Sequence, residues 1–251
     1  MKKIIKKLIS FVPGLKTLKI TSRRLFFKLL FKSSVFLGAG FDTQSAFLLK
    51  DSFKIILWIN PEIIKYRAPR NQNKYFVQDI NNNEIKTIEE STPTIAPTVE
   101  KIFIKKESYE STPQFYEMIE QVNKGQKAYY CKSTEGVHHY FKNLGKTYES
   151  MKSNGYLLQK NLKEKDESLI DPRKKDSNDD EIQLVIDENY GLLLGWGGTH
   201  RLLIAKILKL NKVAGLVDHV DKEWARNVFY ESRSYNLQKA IETRLNNGYF
   251  S

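Results

Sequence analysis

The chain has 251 residues, 41 Lys and Arg against 29 Asp and Glu for a net charge of +12, one cysteine, and 41% hydrophobic residues. Its apolar content is enough to offset chain entropy and excludes disorder throughout. The lone Cys131 excludes an internal disulfide framework and fits a reducing compartment.

The charge is concentrated at one end. No acidic residue precedes Asp42, so the segment through Phe41 carries +10 and leaves +2 for the remaining 210 residues. On a helical wheel Lys2, Lys3, Lys6 and Lys7 oppose Ile4, Ile5, Leu8 and Ile9. Pro13-Gly14 breaks that run, and a second helix is expected from near Thr17. In it Arg24, Lys28 and Lys32 recur at i, i+4 and i+8, opposite Leu25, Phe26, Phe27, Leu29 and Leu30. Lys28 and Lys32 interrupt the best apolar stretch, so a transmembrane helix is not expected, and Lys6 and Lys7 spoil a secretory signal. Residues 1–41 thus read as a basic amphipathic arm. It either lies on an anionic membrane surface, at the inner face in a cytoplasmic protein, or packs its apolar side on the body. A nucleic-acid contact would leave the broad Leu/Phe/Ile face without a role.

Further along, Phe53 to Ile59 is an apolar run ended by Asn60-Pro61 and reads as a buried strand entering a turn. Lys74–Asp79 and Glu84–Ile88, separated by three asparagines, read as a hairpin. Pro93 and Pro97 mark a loop, and Lys101–Lys106 a further strand. From Thr112-Pro113 the pattern turns helical, through Phe115, Met118, Ile119 and Val122 to Gly125. A second helical stretch carries Val137, Tyr140, Phe141, Leu144, Tyr148 and Met151 up to Gly155. His138 and His139 point about 100° apart on that helix, which disfavours a shared metal, and they take surface or packing roles. Cys131 reads as an inert thiol. Gln159 to Glu181 is dense in charge and reads as a solvated connector.

The last third is the most informative. Ile182–Ile186 and Tyr190–Leu194 are expected strands around an Asp187-Glu188-Asn189 turn. Gly195-Trp196-Gly197-Gly198-Thr199-His200-Arg201 then leads into a helix through Leu210, followed by a strand over Val213–Val217. One helix, or two, is expected from Lys222 to Asn246. Gly197 and Gly198 allow close approach of backbone to a ligand, and the start of the helix presents N–H groups with the positive end of its dipole. Thr199 is a candidate helix cap and hydroxyl donor, and His200 and Arg201 are candidates for charge-assisted bonds to phosphate. The alternative from the residues alone is a tight turn, with Arg201 paired to a neighbouring carboxylate.

Gly198-Thr199-His200-Arg201, with the hairpin before it and the helix and Leu210-Asn211-Lys212-Val213 turn after it, resembles the ParB/sulfiredoxin superfamily, whose members carry a G-x-H-R or G-E-R-R box here. Gly155-Tyr156-Leu157-Leu158-Gln159 is similar to the stretch leading into that core, and the resemblance covers about residues 155 to 224. Asn60-Pro61-Glu62-Ile63-Ile64, Gly155-Tyr156, His219 and Trp224 are similar to a standalone branch associated with surface-polysaccharide loci. The resemblance implies an α/β (α+β) fold and nucleotide-phosphate binding through Gly197, Gly198, Thr199, His200 and Arg201, with His200 and Arg201 as catalytic candidates. ATP or CTP, with Mg²⁺, are the implied cofactors. Sulfiredoxins place cysteine where this chain has Thr199, and threonine cannot form the sulfur intermediate of sulfinic acid reduction.

The expected organisation is an arm over 1–41, strands and helices over 42–154, the resembling core over 155–224, and a C-terminal helix over 225–251. Three functions remain open: a nucleotide-dependent phosphotransferase or hydrolase, a non-catalytic module for a nucleotide or sugar-phosphate, and a DNA-binding partition or nuclease-like protein. The first needs a carboxylate. Asp179, Asp180, Glu181 and Asp187 are the nearest, each with a surface role as its simplest reading.

Overall fold

The computed structural model describes residues 20–50, 54–70, 73–159, 161–162 and 181–247, with side chains described from Arg24 onward. The fold is α/β, built on one seven-stranded mixed sheet. Its centre is β5 (Ile182–Asp187), flanked by β6 (Gly191–Leu194) antiparallel and β7 (Val213–Asp221) parallel. β1 (Ile56–Ile59) runs antiparallel to β7 on its other edge. Beyond β6 lie β2 (Tyr66–Arg67), parallel to it, and then β4 (Lys86–Thr87), antiparallel to β2. Strands from the 42–154 segment are therefore built into the same sheet as those of the 155–224 segment.

Alternation along the central strands decides what each face of the sheet packs against. Ile182, Leu184, Ile186, Leu192 and Leu194 belong to the main core, whereas Val185 and Leu193 pack with Ala68 on the opposite face. Asp218 is a bulged residue in β7, since Leu184 pairs with Val217 and Val185 with His219. The main core is completed by helices: α1 (Ile20–Phe36), α2 (Phe41–Phe47), the short α3 (Ile88–Ser91), α4 (Ile95–Phe103), α5 (Pro113–Asn123), α6 (Thr134–Asn154), α7 (Thr199–Ile207), α8 (Lys222–Glu231) and α9 (Leu237–Asn246). α4 and α6 both pack on α7. The C-terminal segment is thus two helices, tied to α2 by Gln44. That fully buried side chain donates to the Ala39 and Tyr235 carbonyls and accepts from the Leu237 amide.

Two expected elements are replaced. The Lys74–Asp79 and Glu84–Ile88 segments do not form a hairpin. Instead β3 (Val77–Gln78) adds in parallel to the end of β7, while β4 goes to β2. Phe76 and Val77 are buried at the edge of β7, and the Asn81 side chain accepts from the Asn83 amide, turning the chain into a short 3₁₀ helix rather than a tight reversal. The expected strand over Lys101–Lys106 is the end of α4 and the turn after it. Thr98, Val99 and Phe103 are buried on one side of that helix, and Pro97 lies in its first turn, where a missing N–H costs nothing.

The N-terminal arm is described only as α1. Phe27, Phe31 and Ser34 are buried against the body, but Leu25, Leu29 and Phe36 are exposed. The first expected amphipathic helix and most of the charged connector lie outside the described residues. Among the described residues no helix is long and apolar enough to cross a membrane. His138 bonds the Tyr109 hydroxyl and His139 the Asn143 amide, and Cys131 is buried with its Sγ against the Gly136 carbonyl.

Candidate functional site

The glycine-rich loop runs from the end of β6 into α7 and folds back onto the start of β5. The Gly195 amide donates to the Gln183 carbonyl at 2.7 Å, and the Gln183 amide donates to the Gly197 carbonyl at 3.0 Å. Gly198 has φ of 83°, and a Cβ there would stand 2.6 Å from Ile182 Cα. Only glycine satisfies both that left-handed backbone and that close approach. Gly198 is also the N-cap of α7, so Thr199 is the first helical residue rather than the cap. Among the described residues no side chain caps this helix N-terminus.

Beside the loop lies a cavity of about 290 Å³. Its walls are the loop and the first turn of α7 (Trp196 to Arg201), the Tyr129-Tyr130 turn, the inner side of α6 from Tyr140 to Met151, and Gly155, Tyr156 and Gln159 after it. The five residues expected to bind phosphate, Gly197, Gly198, Thr199, His200 and Arg201, all line it.

Their chemistry differs from the expectation in two respects. His200 sits in a closed ring of neutral partners. Its Nε2 lies 3.0 Å from Gln114 Oε1, and the Tyr140 hydroxyl lies 3.3 Å from Nε2 and 3.4 Å from Nδ1. Gln114 Nε2 donates to the Tyr140 hydroxyl at 3.5 Å, and with the amide so oriented its Oε1 faces the ring and pairs with a proton on Nε2. Burial, and then the Arg67 charge, push His200 down to about pKa 4. It is therefore a neutral imidazole at pH 7, not a cationic phosphate ligand. Gln114 itself is fixed by Thr98 of α4, whose hydroxyl accepts its backbone amide.

Arg201 is held by a carboxylate. Its Nη1 lies 3.8 Å from Glu181 Oε2 and 3.4 Å from the Tyr156 hydroxyl. Glu181, expected at the surface, is only 1% exposed. It accepts from the Tyr156 hydroxyl at 2.8 Å and the Gln159 amide at 2.7 Å, and these bonds with Arg201 compensate its burial. Burial, opposed by Arg201, raises the Tyr156 hydroxyl well above the ordinary tyrosine value. Both parts of the structural alternative, a tight glycine turn and a paired Arg201, are thus present at a loop that also borders a cavity.

Asp187 is buried too, but it serves the other end of the sheet. Its Oδ1 accepts from the Asn189 and Tyr190 amides in the β5–β6 turn. The loop packs at Ile182, five residues away along β5, or about 16 Å, so Asp187 cannot serve the cavity. His219, bonded to Asp218 at 2.8 Å, and Trp224 also lie toward that end. Asp179 and Asp180 fall outside the described residues. Among the described residues no Asp or Glu lines the cavity, and no group of three His, Cys, Asp or Glu side chains is placed to hold a metal.

Sequence reasoning missed Arg67. β2 lies beside β6, with Arg67 paired to Leu194, which delivers its guanidinium beneath the loop. Its Nη2 donates to the Thr199 hydroxyl, and its centre lies 5.4 Å from the Trp196 ring, which Arg70 also faces at 5.2 Å. Arg67 is 7% exposed, and its buried Nε has no partner. Desolvation lowers its pKa. Tyr129 was missed as well: it is exposed, has φ of 54°, and stacks on Tyr140 at 5.5 Å. A bulky residue held in the left-handed region costs roughly 1–2 kcal/mol. Neither residue has a local sequence signal, because each is brought to the loop by tertiary pairing.

No family model matches the chain, and neither a curated protein nor a solved structure is found to be similar to it.

Proposed function

We propose that the cavity beside the glycine loop binds the phosphate of a nucleotide, such as ATP or CTP, or of a comparable phosphorylated small molecule. The observation that carries this reading is Arg67, which stands behind Thr199 at the loop and lines, with Arg70 and Trp196, a second pocket on the other side of the loop rather than the cavity wall itself. It is a buried guanidinium with an unpartnered Nε and no carboxylate paired to it among the described residues, and it holds Thr199 at the first turn of α7. A buried cation without a counter-charge is costly, and a bound anion offsets that cost. The uncapped α7 N-terminus and the small residues of the loop suit the same anion. The rings of Tyr129 and Trp196, both about half exposed at the cavity, offer flat surface to a base or sugar.

In this reading Arg67 supplies positive charge from behind Thr199, Thr199 supplies its hydroxyl proton to the anion, Arg201 is held at the cavity wall by Glu181, and His200 acts as a neutral wall beside Gln114 and Tyr140. The described residues supply no ligand set for Mg²⁺, and no step is assigned to one. A non-catalytic nucleotide or sugar-phosphate module is the second reading. The observation that favours it is the cavity lining, which among the described residues holds no carboxylate to activate an acceptor.

Calorimetric titration of the full chain with ATP, CTP and pyrophosphate tests the proposal. Arg67→Gln is expected to weaken binding at least ~10-fold, the scale of a lost charge-assisted bond. No binding of ATP or CTP at about millimolar concentration, a free energy near −4 kcal/mol, would refute it. Bound nucleotide that stays intact over hours separates the module from a phosphotransferase or hydrolase.

A further inference from the structure

α1 presents two faces, and the body covers only one of them. Phe27, Phe31 and Ser34 pack inward, while Leu25 is 59%, Leu29 54% and Phe36 89% exposed. At about 100° per residue these three exposed side chains fall within about 40° of one another. Leu37, just past the helix, is 78% exposed. Arg24, Lys28 and Lys32, all exposed, run along the helix at i, i+4 and i+8. Lys32 falls about 20° from Leu25 on the same wheel and Lys28 about 60°. No Asp or Glu interrupts the segment. An amphipathic helix packed on its own domain would bury its apolar residues and turn only its charges outward. Here an apolar stripe and a basic stripe face outward side by side.

We propose that this face of α1 docks on an anionic lipid surface, with Leu25, Leu29 and Phe36 entering the headgroup–acyl boundary and Lys28 and Lys32 meeting lipid phosphates. Charge complementarity selects this occupant. The lysines require an anionic partner, and the leucines and phenylalanine beside them require an apolar one, and a bilayer interface supplies both within a few ångströms. A nucleic-acid backbone satisfies only the lysines. The inference is independent of what the cavity binds.

The test is co-sedimentation of the full chain with vesicles of phosphatidylcholine, alone or with about 30% phosphatidylglycerol, at about 0.1 M salt, where the screening length is about 10 Å. Binding is expected on the anionic vesicles and not on the neutral ones. Lys28→Gln with Lys32→Gln is expected to reduce partitioning roughly 30-fold, about 5-fold for each charge. Leu25→Gln, Leu29→Gln and Phe36→Gln together are expected to reduce it at least ~10-fold at unchanged net charge. Because these side chains are exposed, the thermal melt of both variants should match the parent, which separates lost docking from lost folding.

Four results would overturn the proposal. One is a chain that stays in the supernatant with anionic vesicles. Another is a triple Gln variant that binds as well as the parent, which would leave charge alone as the cause. The third is preferential, salt-sensitive capture by duplex DNA or RNA that vesicles cannot displace. The last is a dimer by light scattering that the triple variant dissociates and that does not bind lipid.

Discussion

Neutral His200 makes a quantitative prediction about pH. Protonation would place a charge in a desolvated position and a cation close to Arg67. Its folded-state pKa of about 4 lies below the value near 6.5 expected when unfolded. The unfolded chain therefore takes up this proton first as the pH falls. The stability His200 contributes is fully present above about pH 6.5 and is lost progressively between there and about pH 4. The whole difference amounts to roughly 3 kcal/mol, of which about 2 kcal/mol is gone by pH 5. His219, also lowered by burial, adds a loss of the same sign. Urea unfolding at about pH 7.5 and about pH 5 should show this drop in the parent, and His200→Asn should shrink it by about 2 kcal/mol. With four histidines in the chain, the ring resonances can be followed individually by NMR. A His200 resonance titrating at about 6.5 or above, or an unchanged pH slope in the variant, would refute the neutral ring and with it the assignment of His200 as a wall rather than a cation.

Two alanine substitutions should act with opposite signs. Gly198→Ala meets both the left-handed backbone and Ile182 Cα, and should cost at least about 2 kcal/mol, whereas Gly145→Ala, inside α6 with open space at its Cβ, should stabilise by about 0.5–1 kcal/mol. Melting temperatures moving in the same direction would contradict the backbone argument. Glu181→Gln replaces the buried carboxylate that accepts from the Tyr156 hydroxyl and the Gln159 amide, and should lower stability by about 1–3 kcal/mol, read as a shift in urea midpoint at constant slope. Gln44→Ala strands the Leu237 amide and two carbonyls at the junction of α2 with the C-terminal helices. It should cost about 2–4 kcal/mol, and hydrogen exchange in α9 should accelerate before that in β5.

Local pattern was enough for the elements whose apolar spacing is strong. The apolar runs Ile182–Ile186 and Tyr190–Leu194 around their turn, the helical spacing of Phe115 to Val122 and of Val137 to Met151, and the glycine loop before a helix are all present near their expected places. The 74–88 and 101–106 segments were misread because short apolar runs do not choose their partners. Val77 pairs with Val220 and Lys86 with Arg67, contacts separated by 143 and 19 residues in the chain. Pro97 looked like a loop marker, yet the first turn of a helix tolerates it at no cost.

The candidate site divides along the same line. The sequence by itself determined that the chain has a core, that its charge belongs to an N-terminal arm, and that a tight glycine loop over Gly195 to Gly198 leads into a helix. Those properties depend on composition and on neighbours a few residues apart. Tertiary structure alone decided the electrostatics of that place: Glu181 stands against Arg201, burial and the Arg67 charge hold His200 neutral, and Arg67 arrives from the far strand with no carboxylate paired to it among the described residues. It also decided which side of α1 remains outside. Charge state and exposure depend on what is desolvated and what stands next to it, and folding brings those neighbours together from positions that sequence spacing does not relate.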